Sequence, residues 1–228
     1  MTALEERSGR LLPVGRVGGL GRGERIFAVR FIGAVGFVVT FRQTDPLYTI
    51  DLSDPTSPKV LGELKIPGYS AYLHPVAADL LLGVGQDATA EGRLRGTQLS
   101  LFDVSDLRNP VRLHQRSIGQ ASSSEVESDH HAFLWWSPGS LAVVPTQIEE
   151  SVAGAPPFRG AIGFRVDRGR GIEEVGRVRH DGGAESGPVR RALVFGDRLV
   201  TVSERGLMTS PVETLAGGAW LGFPPAEE

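Results

Sequence analysis

Pro46–Val60 reads PLYTIDLSDPTSPKV, and about 50 residues later Thr97–Val111 reads TQLSLFDVSDLRNPV, a second copy of the same design at a period that marks a repeat protein. In each copy alternating apolar residues run into Asp-Leu-Ser-Asp or Asp-Val-Ser-Asp, then a proline turn, then a new apolar run. The alternation is that of a β-strand, and the proline turn separates it from a second strand. In Asp51, Ser53, Asp54 and in Asp103, Ser105, Asp106 the short side chains can accept from backbone N–H groups just ahead, which fixes a turn. A calcium loop of the EF-hand kind would need a glycine and a distal glutamate that these segments lack.

Working outward, the same punctuation recurs along the chain. Before and after the first copy stand IFAVRFIGA, GFVVTFRQ and KVLGELKIPG; around the second stand SAYLHPVAAD, LLLGVGQDA and VRLHQRSIG. A third set reads HAFLWWSPG, SLAVVPTQI, GAIGFRVDRG and IEEVGRVRH, and a fourth VRRALVFGD, RLVTVSE, RGLMTSPVE and AGGAWLGF. Each run has strand length, is rich in β-branched and aromatic residues, and closes on Gly, Pro or Asp. The thirty glycines and fifteen prolines are scattered between these runs as turn residues.

The expected fold is all-β: a β-propeller of about four four-stranded antiparallel blades plus one N-terminal strand, forming a partial ring. Residues 1–10 are expected to be a flexible N-terminus able to form a frayed helical turn, and Leu11–Val17 an isolated strand. A single propeller domain then fills 11–223, with blades at about 25–68, 69–120, 129–181 and 188–223, and 224–228 as a tail. Polar insertions fall at Thr89–Gly96 and Glu149–Arg159, each between a second and a third strand.

With these residues in view, TFRQTDPLYTIDLSDPTSPKVLGELKIPGYSAYLHP, LLGVGQDA, LSLFDVSDLRNPV and DHHAFLW resemble bacterial and archaeal proteins with a C-terminal β-propeller domain distantly related to WD40 repeats. The likeness runs from about Arg22 to about Leu221. It implies longer proteins with further blades upstream, a leader, and a secreted or cell-envelope setting. It implies no established reaction.

Composition narrows the function. A net charge of −3 with dispersed Lys and Arg leaves no footprint for nucleic acid. No stretch has the apolar length of a signal peptide or a membrane-spanning helix. The absence of cysteine excludes disulfides, thiol catalysis and Cys-based zinc sites. Ser122, Ser123 and Ser124 are not in a nucleophile elbow, and Gly83-Val84-Gly85 opens no phosphate-binding helix. Trp135 and Trp136, on a strand, would face opposite sides of a sheet and serve packing between blades.

Loops joining second to third strands, and fourth to first, emerge on one face of a propeller and here hold the longer polar segments. The candidate contact set on that face is Arg42, Gln43, Asp45, Gln86, Asp87, Glu125, Asp129 and His130. Asp129 and His130, with Glu125 and Glu127, are also the candidates for a metal near the axis, calcium or another divalent ion, although no metal site is assigned. The competing reading is that Asp129 and His130 bond backbone between neighbouring blades.

The expected function is therefore a non-catalytic binding or scaffold domain for a protein or glycan, with no cofactor. The alternatives are a metal-assisted hydrolase or lyase, or an inactive fragment of a longer propeller that pairs as a homodimer through exposed blade edges.

Overall fold

The computed structural model describes residues 1–41, 45–149, 157–180 and 187–224. The chain divides into two compact units, Met1–Leu94 with Phe102–Arg112, and Arg95–Leu101 with Leu113–Glu228.

The N-terminal strands are β1 (Thr2–Arg7) and β2 (Arg10–Arg16), followed by the four strands of the first blade, β3 (Arg25–Ile32), β4 (Val35–Phe41), β5 (Asp45–Asp51) and β6 (Lys59–Ile66). The second blade comprises β7 (Tyr69–Ala77), β8 (Leu80–Ala88), β9 (Leu94–Asp103) and β10 (Val111–Ser117). In the third, β11 (Ser122–Ser124), β12 (Leu134–Trp136), β13 (Leu141–Ile148), β14 (Phe158–Asp167) and β15 (Gly171–Val178) follow. The fourth holds β16 (Arg191–Phe195), β17 (Arg198–Ser203), β18 (Gly206–Pro211) and β19 (Ala219–Gly222). Strand order within the first, second and fourth sheets is sequential, as it must be when each connection is a tight turn. The protein is thus all-β and built of four-stranded antiparallel propeller blades.

The central strands are near-continuous buried runs, β4, β8, β13 and β14 above all, because both their faces are covered. In the first unit Phe37, Leu47, Leu73, Leu81 and Phe102 form one core. A second cluster joins Val38, Tyr48 and Ile50 to Val17 and Met1. In the second unit Leu141, Val143, Leu199, Met208 and Leu215 pack together, with Trp136 and Trp220 against them.

The acceptor turns form as the sequence predicts. Asp51 and Asp54 accept from the N–H groups of Ser53 and Thr56 at 2.9 Å each. Asp103 and Asp106 repeat this with Ser105 and Arg108, also at 2.9 Å. Asp167 makes the same turn in the third blade, accepting from Gly169 and Arg170. Asp51, Asp54 and Asp106 are held below the usual carboxylate range first by hydrogen bonds from the side chains of Ser53, Thr56 and Asn109 and then by these N–H groups, and Asp167 by the N–H groups of Arg170 and Gly169.

Each turn also has a tertiary role within its unit. A Cβ on Gly62 of β6 would lie 2.5 Å from the carbonyl oxygen of Leu107 and 2.7 Å from that of Arg108, so the turn after Asp106 rests on bare backbone. Thr49 donates its hydroxyl to the same Leu107 carbonyl. Gly15 of β2 takes the Pro55 carbonyl, and Gly176 of β15 that of Thr214, in the same manner. In β10 the position equivalent to Gly62 is His114, whose Nε2 donates to the carbonyl of Arg168 at 2.8 Å.

Two expectations need correction. Residues 1–10 form no helical turn, and Leu11–Val17 is not an isolated strand: Thr2–Arg7 pairs with Arg10–Arg16 in an antiparallel hairpin. Ser8 and Gly9 at its tip have φ of 53° and 75°, the signs of a type I′ turn, whose twist suits a two-residue hairpin. The third blade begins at Ser122, not near 129. Its first-strand place is divided between β11, paired with Thr146–Ile148, and β12, paired with Leu141–Val143. The break falls opposite Val144 and Pro145, where proline has no N–H to offer a partner strand.

Candidate functional site

The divided first strand sends Glu125–Phe133 out of the third sheet, and this excursion carries the polar residues of interest. It consists of two 3-10 turns, Glu125–Glu127 and His130–Ala132. Ser124 caps the first: its hydroxyl accepts from the N–H of Val126 and donates to the carbonyl of Pro145 at 2.6 Å. Glu127 accepts from the N–H of Ser124 and from the Thr97 hydroxyl, both at 3.0 Å, which completes a capping box. Asp129 caps the second turn, accepting from the N–H of His131 at 3.0 Å.

The carboxylates expected to converge are drawn apart by different partners. Glu125 pairs with Arg190 at 2.6 Å, and the same guanidinium reaches Glu204 at 3.1 Å. Asp129 pairs with Arg191 at 2.7 Å. The N–H of His131, followed by Arg191, holds the Asp129 carboxyl below its usual range. Arg190 and Arg191 stand at the start of the fourth sheet, so these pairs link neighbouring blades of one unit. Both candidate readings of Asp129 are modified by this: it bonds local backbone, and it crosses to the next blade through a side chain.

His130 and His131 are exposed, with ring centroids 4.6 Å apart and planes 27° from parallel. His131 also lies 3.1 Å from Asp129. Among the described residues no three His, Asp or Glu side chains form a metal-ligand set. The geometry of the excursion is that of a held polar surface: two stacked imidazoles on a short turn whose carboxylates are locked by arginines.

In the first unit, Gln86 lies in β8 opposite Tyr69 and is buried, with half-buried Asp87 next to it. Asp45 opens β5 opposite Ile66. Arg42 and Gln43 lie outside the described residues. The candidate set is thus divided between the units: Asp45, Gln86 and Asp87 in the first, Glu125, Asp129 and His130 in the second.

Two networks were not singled out from sequence. In the first unit Arg30 donates to the Leu73 carbonyl and to the Tyr72 hydroxyl, each at 2.8 Å, while its guanidinium lies 5.2 Å from the Tyr72 ring. The Tyr72 hydroxyl is also hydrogen-bonded to Nδ1 of His74, 3.0 Å away. Burial, then the Arg30 charge, push the His74 imidazole down to about 4. In the second unit buried His180 spans two hydroxyls, Ser203 at 2.9 Å and Thr201 at 2.8 Å, beside the Trp220 ring. Nothing in a single sequence marks either set, since each joins strands that meet only on packing.

Four-stranded sheets in chain order, tied by repeated acceptor turns, are propeller blades, and comparison with known proteins agrees. The chain matches the family described as the beta propeller domain over residues 2–215, and it belongs to that family. It is 52% identical over 136 residues to an uncharacterized protein of Archaeoglobus fulgidus, covering 60% of this chain and 21% of that one. An uncharacterized protein of Methanocaldococcus jannaschii is 50% identical over 122 residues, covering 54% of this chain and 19% of that one. These two relatives are archaeal, and the chain spans about a fifth of the length of each. Among solved structures, a hypothetical selenium-binding protein from Sulfolobus tokodaii has a TM-score of 0.40 at 9% identity, covering 81% of this chain and 58% of that one.

Proposed function

We propose that this chain is a non-catalytic β-propeller binding domain of the cell envelope or secreted space, presenting polar surfaces at sheet ends to a protein or glycan. The observation that carries this reading is the excursion Glu125–Phe133. Its backbone is capped at both turns and its carboxylates are paired with Arg190 and Arg191, while the stacked His130 and His131 rings face solvent. Rigid support beneath exposed polar side chains lowers the ordering cost of recognition. The envelope setting rests on the family likeness. A metal-assisted reaction draws no support from Asp129, because Arg191 and the His131 N–H already engage its carboxylate.

The test is biolayer interferometry of the purified chain against immobilised envelope glycans and extracellular proteins. His130→Ala with His131→Ala is expected to abolish any binding that the parent shows. Binding that survives this change, or a parent that binds nothing in the panel, counts against the reading.

A second reading, a part of a longer propeller, is favoured by the outer face of the fourth sheet. There Leu193, Phe195 and Leu221 are 43%, 65% and 61% exposed, as on a blade face that awaits a neighbour. The same exposed face would also allow two copies to pair. Light scattering over a concentration series tests the pairing: Phe195→Lys with Leu221→Lys is expected to remove self-association, and a parent that stays monomeric argues against it.

A further inference from the structure

The second unit contains a groove of about 260 Å³ between the end of β15 and the strand β18 with its following turn. Arg177, Arg179, Ser210, Leu215, Gly217 and Gly218 are among the residues that line it. Three features of these residues point to a ligand.

First, Arg179 is held in place without a counter-charge. Its guanidinium lies 5.0 Å from the Phe158 ring centroid and gives one N–H to the Pro157 carbonyl at 3.0 Å. Among the described residues no carboxylate is within ion-pair reach of it, so most of its five donors remain available. Secondly, Arg177 lies 5.3 Å from the same ring and is locked bidentately on Glu174, at 2.7 and 3.1 Å. Glu174 thus neutralises one of the two arginines and leaves the other.

Thirdly, Ser210 belongs to the groove lining, where its hydroxyl offers a hydrogen-bond donor. Gly217 and Gly218 have no side chains to fill the space, while Leu215 supplies an apolar wall.

A guanidinium with free donors and a hydroxyl lining one groove are groups that bind oxygen anions. We propose that this groove is a binding site for a small oxyanion, a carboxylate or phosphate group held by Arg179 and Ser210. The site is independent of the surface formed by His130 and His131.

The experiment is isothermal titration calorimetry of the full chain with inorganic phosphate and, separately, with succinate, at constant ionic strength. At least one is expected to bind saturably. Arg179→Ala should weaken binding about 10-fold or more, and Ser210→Ala roughly 3- to 10-fold, the range for charged and neutral hydrogen bonds. Glu174→Gln should instead tighten binding by about 3-fold, because it frees Arg177 to turn toward the anion. Arg10→Ala, in the first unit, should change nothing.

Binding of phosphate alone assigns the site to phosphoryl groups, and of succinate alone to carboxylates. No saturable binding of either probe, or equal affinity across all four variants, overturns the proposal. Should Arg179→Ala fail to fold, as judged by circular dichroism, the opposite signs expected for Ser210→Ala and Glu174→Gln still decide.

Discussion

Gly62→Ala tests the contact on which the repeated turn rests. The added methyl would sit 2.5 Å from the Leu107 oxygen, 2.7 Å from that of Arg108 and 2.9 Å from the Arg108 carbonyl carbon, all backbone atoms. Ordinary contact begins near 3.4 Å, so the turn must withdraw by roughly 0.9 Å. That movement also stretches the Thr49 hydrogen bond to Leu107, worth about 1 kcal/mol. Overpacking adds about 1–3 kcal/mol, offset in part by about 0.4–1 kcal/mol from the stiffer unfolded chain. The expected net loss is therefore about 1–3.5 kcal/mol. Urea unfolding followed by circular dichroism measures it, and hydrogen exchange should show lost protection in β5, β6 and residues 102–112. Gly18→Ala is the control, since nothing lies within 4 Å of a Cβ there, and it should stay within about 0.5 kcal/mol of the parent. If Gly62→Ala matches that control, the turn does not depend on a bare glycine and the reasoning fails.

Three further outcomes are expected. His74 titrates near 4 when folded and near 6.5 when unfolded, so the unfolded state binds the proton first. Its contribution to stability is complete above about 6.5 and is lost as pH falls toward about 4. Denaturant titrations across that window should show a shallower decline in His74→Gln than in the parent. Below it the turn carboxylates take over: Asp51, Asp54, Asp106 and Asp167 stabilise the fold above the ordinary carboxylate range and lose that effect as pH falls through their depressed values. Asp106→Ala should therefore lower the melting temperature at pH 7 but much less at pH 2, as differential scanning calorimetry would show. His180→Leu strands the buried hydroxyl of Thr201, whereas Ser203 keeps Gly206 and the Arg205 N–H, and should destabilise the second unit by about 1–3 kcal/mol. Trp220 fluorescence during unfolding reports it.

Much of this fold is legible in the chain because its determinants are local. The Asp-x-Ser-Asp turns close on N–H groups two residues ahead, so PLYTIDLSDPTSPKV specifies its own bend wherever it sits. The hairpin at the N-terminus was equally local, but its tip is Ser8-Gly9 where Asn-Gly is the stronger signal, and its charged residues resemble a helix start. The split strand of the third blade had a mark as well, Pro145 inside an apolar run, whose missing N–H matters only once a partner strand is identified. The candidate site was legible in residue type alone. Glu125 and Asp129 were found as carboxylates near histidine, but their fate turned on Arg190 and Arg191, about sixty residues further along the chain, a separation that no spacing rule bridges.

By itself, then, the sequence determined the strands, their sequential pairing and the acceptor turns, since each depends on residues within one or two hairpins. Only the tertiary structure decided which polar groups meet: Arg30 with Tyr72 and His74, His180 with Thr201 and Ser203, and Arg179 with Ser210 in the lining of one groove. The physical reason is range. Alternation and turn chemistry act over a few residues, whereas burial, charge pairing and the space left for a ligand depend on surfaces that exist only after one sheet has packed upon another.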